Sequence, residues 1–171
     1  MCITGGEPTV HKELPSFIRR MKEMGYQVKL DTNGYNPGML RRLIKENLVD
    51  YVAMDIKSSP EKYSEVANVD VDIRKIEESI KLIAGSGIDH VFRTTVIPRH
   101  HDHKELLSIK EWLLDVTEKK RLKSFHLQQF YPREGSMLDS SYEKERPHPR
   151  ERLEEFRKSL EPHFEECKVR N

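Results

Sequence analysis

Met1-Cys2-Ile3-Thr4-Gly5-Gly6-Glu7-Pro8 opens the chain, and its reading decides the fold. A short apolar run feeds a double-glycine turn, as a strand does when it ends at a sharp bend. Leu14, Phe17, Ile18, Met21 and Met24 follow at helical spacing, and Gly25 stands where a helix would close. The same order then recurs. Tyr26 to Leu30 alternates like a strand, Asp31-Thr32-Asn33-Gly34 reads as a turn, and Asn36-Pro37 opens a helix carrying Leu40, Leu43 and Ile44. Tyr51 to Met54 predicts a buried strand ending in Asp55-Ile56-Lys57. Ile73, Ile76, Ile80 and Ile83 share one helical face. Val91 to Ile97 predicts a strand, and Asp102 with Glu105 fits a capping box for the helix with Leu106, Ile109, Leu113 and Val116. Phe125 to Phe130 predicts the last strand. Residues 133–149 read as a loop, and 150–166 as a closing helix with Leu153, Phe156, Leu160 and Phe164.

Strand–helix alternation of this length implies right-handed crossovers and a parallel sheet. The expectation is one α/β domain over residues 1–171, built from about five βα units. Polar residues recur after the strands: Gly5-Gly6-Glu7, Asp31-Thr32-Asn33, Asp55 with Lys57, Arg93 with Thr95, and Gln128 with Gln129. In parallel α/β folds the carboxyl ends of the strands converge on the binding site. Such a set of carboxylates, one Lys and one Arg suits a zwitterion.

The composition narrows the classes further. The chain has 171 residues, 30 Lys and Arg against 29 Asp and Glu, a net charge of +1 and two cysteines. Balanced charge argues against a nucleic-acid or anionic-membrane binder. No apolar run is long enough to span a membrane. Two cysteines exclude a disulfide scaffold, and a reducing cytoplasm is the default location. Cys2 is expected to be a small buried residue and Cys167 incidental. His100, His101 and His103 are not read as a metal set, because adjacent histidines point apart and Asp102 serves the next helix.

At three of the strand ends the residues resemble a known family. Ile3-Thr4-Gly5-Gly6-Glu7-Pro8-Thr9 resembles the GGEP motif of radical S-adenosylmethionine (SAM) enzymes. Leu30 to Gly34 and Asp50 to Lys57 resemble the next two signatures of the glycyl-radical-enzyme activases, in order. The resemblance covers about residues 1 to 132. It is nearest to the activating proteins of anaerobic ribonucleoside-triphosphate reductase, and next to pyruvate formate-lyase activating enzyme.

The resemblance implies an incomplete (βα) barrel of the radical SAM type. It implies reductive cleavage of SAM at a [4Fe-4S] cluster and hydrogen abstraction from a glycine of a partner enzyme. Flavodoxin or ferredoxin would supply electrons. It assigns SAM to Gly5, Gly6, Glu7, Asp31, Thr32, Asn33, Asp55, Lys57, Arg93 and Gln129. A monovalent cation would lie between Asp31, Thr32, the Ala53 carbonyl and Asp55. The family holds its cluster with a CxxxCxxC loop ahead of GGEP. Cys2 and Cys167 cannot supply three thiolates, so the first βα unit is expected to be missing and the chain as given to be inactive. Two other readings remain: a radical SAM enzyme acting on a small molecule, and a non-catalytic SAM-binding or docking module.

Overall fold

A computed structural model describes residues 1–132, 135 and 139–170. Six parallel strands form one sheet in sequence order: β1 (Cys2–Ile3), β2 (Lys29–Thr32), β3 (Tyr51–Asp55), β4 (Asp89–Val96), β5 (Leu122–Gln129) and β6 (Phe164–Arg170). The helices are α1 (Leu14–Glu23), α2 (Pro37–Lys45), α3 (Tyr63–Ala67), α4 (Ile73–Gly85), α5 (His103–Thr117) and α6 (Arg150–Leu160). Each new strand joins the same edge. With right-handed crossovers, that order lays the helices on one face of the sheet. Accordingly α2 packs on α4, α4 on α5 and α5 on α6. This is the incomplete barrel expected of the sequence, with a helix layer outside and an open inner face.

Register separates the two faces. Thr32, Met54, Phe92, Phe125 and Cys167 lie side by side across β2 to β6. All five are buried, beside a core that includes Ile18, Leu40, Leu43, Ile76, Ile80, Leu113 and Phe156. One residue along, the row Asp55, Arg93, His126, Lys168 crosses β3 to β6 on the opposite face. Successive strand residues point to opposite sides, so the same strands supply an apolar outer face and a charged inner one.

Some sequence expectations are corrected. β2 extends through Asp31 and Thr32, which were read as turn. The closing helix does not reach residue 166. It ends at Leu160, passes through a 3₁₀ turn over Glu161–His163 and gives way to β6. Pro162 has no backbone N–H to continue the helix. Phe164, expected on that helix, begins β6 and stacks on Phe125 with centroids 5.1 Å apart. Cys167 is therefore a core residue, and burial pushes its thiol up to about 12. Cys2 is exposed. Within the expected loop, Ser140–Lys144 form a 3₁₀ turn, while residues 133, 134 and 136–138 lie outside the described residues. The short helix α3 had no counterpart in the sequence reading. No helix among the described residues is long and apolar enough to cross a membrane.

Candidate active site

At the carboxyl ends of β1 to β4 the chain builds a polar cavity. It is lined by Thr4, Gly6, Asp31, Thr32, Asn33, Asp55, Lys57 and Arg93. The double-glycine turn after β1 has positive φ at both Gly5 (+96°) and Gly6 (+47°). A Cβ at either would meet nothing within 4 Å. The backbone conformation, not crowding, is what requires glycine here. It leaves main-chain groups bare at the mouth of the cavity.

Glu7 fixes that turn to the neighbouring strand. Its Oε1 accepts from Thr9 N (3.1 Å), Thr9 Oγ1 (2.6 Å) and Thr32 Oγ1 (2.8 Å), and its Oε2 from Asn33 N (2.6 Å). The carboxylate thus ties the first strand end to the second. Beneath, Gly34 has φ +76°, and a Cβ there would sit 2.1 Å from Met54 Cε. The positive φ is what favours glycine at residue 34, and any Cβ there would also have to displace the end of the Met54 side chain.

Charges occupy the inner face. Lys29 and Asp31, two apart on β2, point the same way and form an ion pair. Arg93 reaches from β4 to both carboxylates: its Nη1 lies 3.1 Å from Asp31 Oδ2, and its Nε pairs with Asp55 Oδ1. Burial alone would raise the Asp31 pKa, but the hydrogen bond from Lys29 and the charge of Arg93 more than offset it and hold the carboxyl below its ordinary value. Lys57 is the loosest member. Its Nζ is 3.8 Å from Asp55 Oδ2, and its side chain is 44% exposed. Three cations, Lys29, Lys57 and Arg93, face two carboxylates, Asp31 and Asp55. One positive charge is in surplus, and Lys57 is the group free to offer it.

The structure brings together most of the residues singled out in the sequence. Gln129 is not among the residues lining this cavity: it is buried, and its amide donates to His148 O at 3.0 Å. Ala53 lies between Asp31 and Val91 in register. The Asp31 and Asp55 carboxylates flanking it are bridged by Arg93. Among the described residues there is no group of three His, Cys, Asp or Glu able to hold a metal ion. His100, His101 and His103 turn to separate partners: Tyr142 Oη, Lys57 O and Ser159 Oγ, each at 2.8 Å. Thr4 and Lys29 were missed by sequence reading. The i, i+2 spacing of Lys29 and Asp31 in a strand was the available signal.

The chain has relatives among known proteins. A profile of the Radical SAM superfamily matches residues 1–113. The chain belongs to the radical SAM superfamily. This radical SAM chain is 34% identical over 174 aligned residues to MJ1227 of Methanocaldococcus jannaschii, named as a candidate glycyl-radical enzyme activating enzyme. That match covers 98% of this chain and 69% of the relative. It is 30% identical over 132 residues to a candidate GTP 3′,8-cyclase of Sulfolobus acidocaldarius, covering 76% of this chain and 40% of that one. Among solved structures, a domain of pyruvate-formate lyase-activating enzyme from Bacteroides vulgatus superposes with a TM-score of 0.73 at 17% identity, covering 100% and 98% of the two chains. SuiB of Streptococcus suis bound to S-adenosylmethionine superposes with a TM-score of 0.62 at 13% identity, covering 98% of this radical SAM chain and 37% of that one. These likenesses establish the shared fold.

The family's cofactors can be set against the residues. SAM carries an ammonium, a carboxylate and a sulfonium, and the cavity offers bare main chain at Gly5-Gly6, two carboxylates and the ammonium of Lys57. The complementarity is one of charge and hydrogen bonding. The [4Fe-4S] cluster does not fit. It needs cysteine thiolates, and the two cysteines sit on the first and last strands of the sheet.

Proposed function

We propose that this chain is the SAM-binding part of a radical SAM activating enzyme whose substrate is a glycine of a partner protein. The observation that carries the reading is the cavity of Gly6, Asp31, Asp55, Lys57 and Arg93, where Lys29 and Arg93 pair closely with the carboxylates and Lys57 is held only loosely. Gly5 and Gly6 present main-chain groups to the SAM ammonium. Lys57 binds the SAM carboxylate. Arg93 pairs with both Asp31 and Asp55, and Asn33, held through its N–H by Glu7, closes one wall. These residues orient the amino-acid end of SAM. A [4Fe-4S] cluster would supply the electron that reduces the sulfonium, and it would need cysteine ligands besides Cys2 and Cys167.

Similarity to MJ1227 across nearly the whole chain favours a glycyl-radical enzyme as partner. An anaerobic ribonucleotide reductase is the specific partner we favour, with a flavodoxin or ferredoxin as electron donor. The cation between Asp31 and Asp55 belongs to this proposal only in modified form, since the Arg93 guanidinium already bridges the two carboxylates.

Two assays test the reading. Anaerobic reconstitution of this chain gives iron near zero per chain. A form that also carries a three-cysteine motif takes up about four irons, and with SAM and reductant produces a glycyl radical on the reductase, seen by electron paramagnetic resonance. Cluster uptake by this chain would contradict the first part. Turnover of SAM on a small molecule, with no radical on the protein partner, would contradict the second.

A further inference from the structure

The segment Asp55–Ser59 carries two of the site's ions, and side chains from the next βα unit hold its backbone. Ile56 N donates to Arg93 O at 2.8 Å, and Ile56 O accepts from Thr94 Oγ1 at 2.9 Å. Lys57 O lies 2.8 Å from His101 Nε2. Ser58 Oγ and Ser59 N both donate to Glu105 Oε1, each at 2.7 Å. Glu105 Oε2 pairs with Lys62 Nζ at 3.2 Å. The capping box is thus only half formed. Asp102 accepts from Glu105 N at 2.8 Å, but the Glu105 carboxylate goes to Ser58 and Ser59.

The hydrogen-bond network assigns the His101 tautomer. Lys57 O can only accept, so Nε2 carries the hydrogen, and in the neutral ring Nδ1 offers a lone pair to Ile97 N at 3.1 Å, with Ile97 O farther off at 3.3 Å. His101 is 1% exposed and Glu105 4%. Burying an imidazole and a carboxylate is costly unless their hydrogen bonds are met. Both are met, on a single short segment. The Lys57 side chain, in contrast, carries among the described residues only the 3.8 Å contact to Asp55.

We propose that His101 and Glu105 are positioning residues for Lys57. They fix its main chain so that its ammonium meets the carboxylate of an amino-acid ligand. The inference rests on the SAM reading and adds to it two residues from outside the cavity. The groups facing His101 are His100 beside it, Glu105 on α5, Lys57, and His148, whose Nε2 lies 3.3 Å from His101 O. Burial pushes the His101 pKa below the ordinary histidine value, against the hydrogen bonds to Lys57 and Ile97. A proton on Nδ1 would meet Ile97 O at 3.3 Å as well as the Ile97 N–H at 3.1 Å, and would leave the Nε2–H bond to Lys57 O in place.

Calorimetric titration of the whole chain with SAM tests this, as a double-mutant cycle of His101→Leu and Lys57→Ala. His101→Leu weakens SAM about five- to tenfold in the parent, the worth of roughly one lost hydrogen bond. It does so by less than about twofold once Lys57 is alanine. His101→Gln keeps a donor for Lys57 O and retains the parent's affinity. Additive losses in the cycle, or an affinity in His101→Gln as low as in His101→Leu, would overturn the proposal. A parent affinity that ignores Lys57→Ala would instead sink the SAM reading. Hydrogen exchange then still decides the positioning: Glu105→Gln speeds exchange of the Ser59 amide about tenfold or more, and no change there would refute it.

Discussion

Glu7 shows how one side chain can serve a site without facing its ligand. Its two oxygens take four hydrogens from Thr9, Thr32 and Asn33, so its work is to hold the glycine turn against β2. Glu7→Gln replaces an acceptor with a donor opposite the Asn33 N–H. The variant should lose about 1–3 kcal/mol of stability, measured by urea unfolding, with an unpaired buried amide as the cause. Glu105 predicts a pH effect at the same scale. Burial would raise its pKa, but hydrogen bonds from Ser59, Ser58 and Lys62 hold it down to about 2, against 4.5 for the free side chain. A depressed carboxylate contributes stability that is whole above the unfolded pKa and lost as pH falls through the folded one. Acid unfolding of the parent between about pH 4.5 and pH 2 should therefore flatten in Glu105→Gln, which is less stable at neutral pH to begin with.

At the scale of elements, the C-terminal strand decides the most. Phe164 begins β6, is fully buried and stacks on Phe125. Phe164→Ala should cost about 3–5 kcal/mol, read from thermal or denaturant unfolding. Were β6 dispensable, the loss would be under about 1 kcal/mol. This is also where the sequence was hardest to read. Phe164 falls four residues after Leu160, so it continues the helical stripe of α6, and only Pro162 signals the break. Buried residues in β6 are Phe164 and Cys167, three apart, which masks strand alternation. Elsewhere the elements were legible because periodicity and turn residues agreed, as with the isoleucines of α4 and the Asn36-Pro37 start of α2. The site was legible for a related reason: strand ends converge, so polar residues after successive strands predict a shared cavity. Lys29, His101 and Glu105 escaped. Lys29 resembles any exposed strand residue, and the other two reach their partners over 44 and 46–47 residues of chain.

Seen whole, the molecule divides its labour by face. The outer row of the sheet, through Met54, Phe92 and Phe125, binds the helix layer. The inner row, through Asp55 and Arg93, carries charge that only a polar ligand can use. Lys29, Asp31, Asp55 and Arg93 neutralise one another, and Lys57 is left over. The near balance of charge over the chain thus recurs in the site as two carboxylates against three cations, with the excess aimed at an anionic group. The most direct measurement compares SAM with its decarboxylated analogue, by calorimetry, on the parent and on Lys57→Ala. The parent should prefer SAM by about tenfold or more, the worth of a charge-assisted contact, and Lys57→Ala should bind both alike. Equal binding of the two ligands by the parent, or a preference that survives Lys57→Ala, would contradict the account.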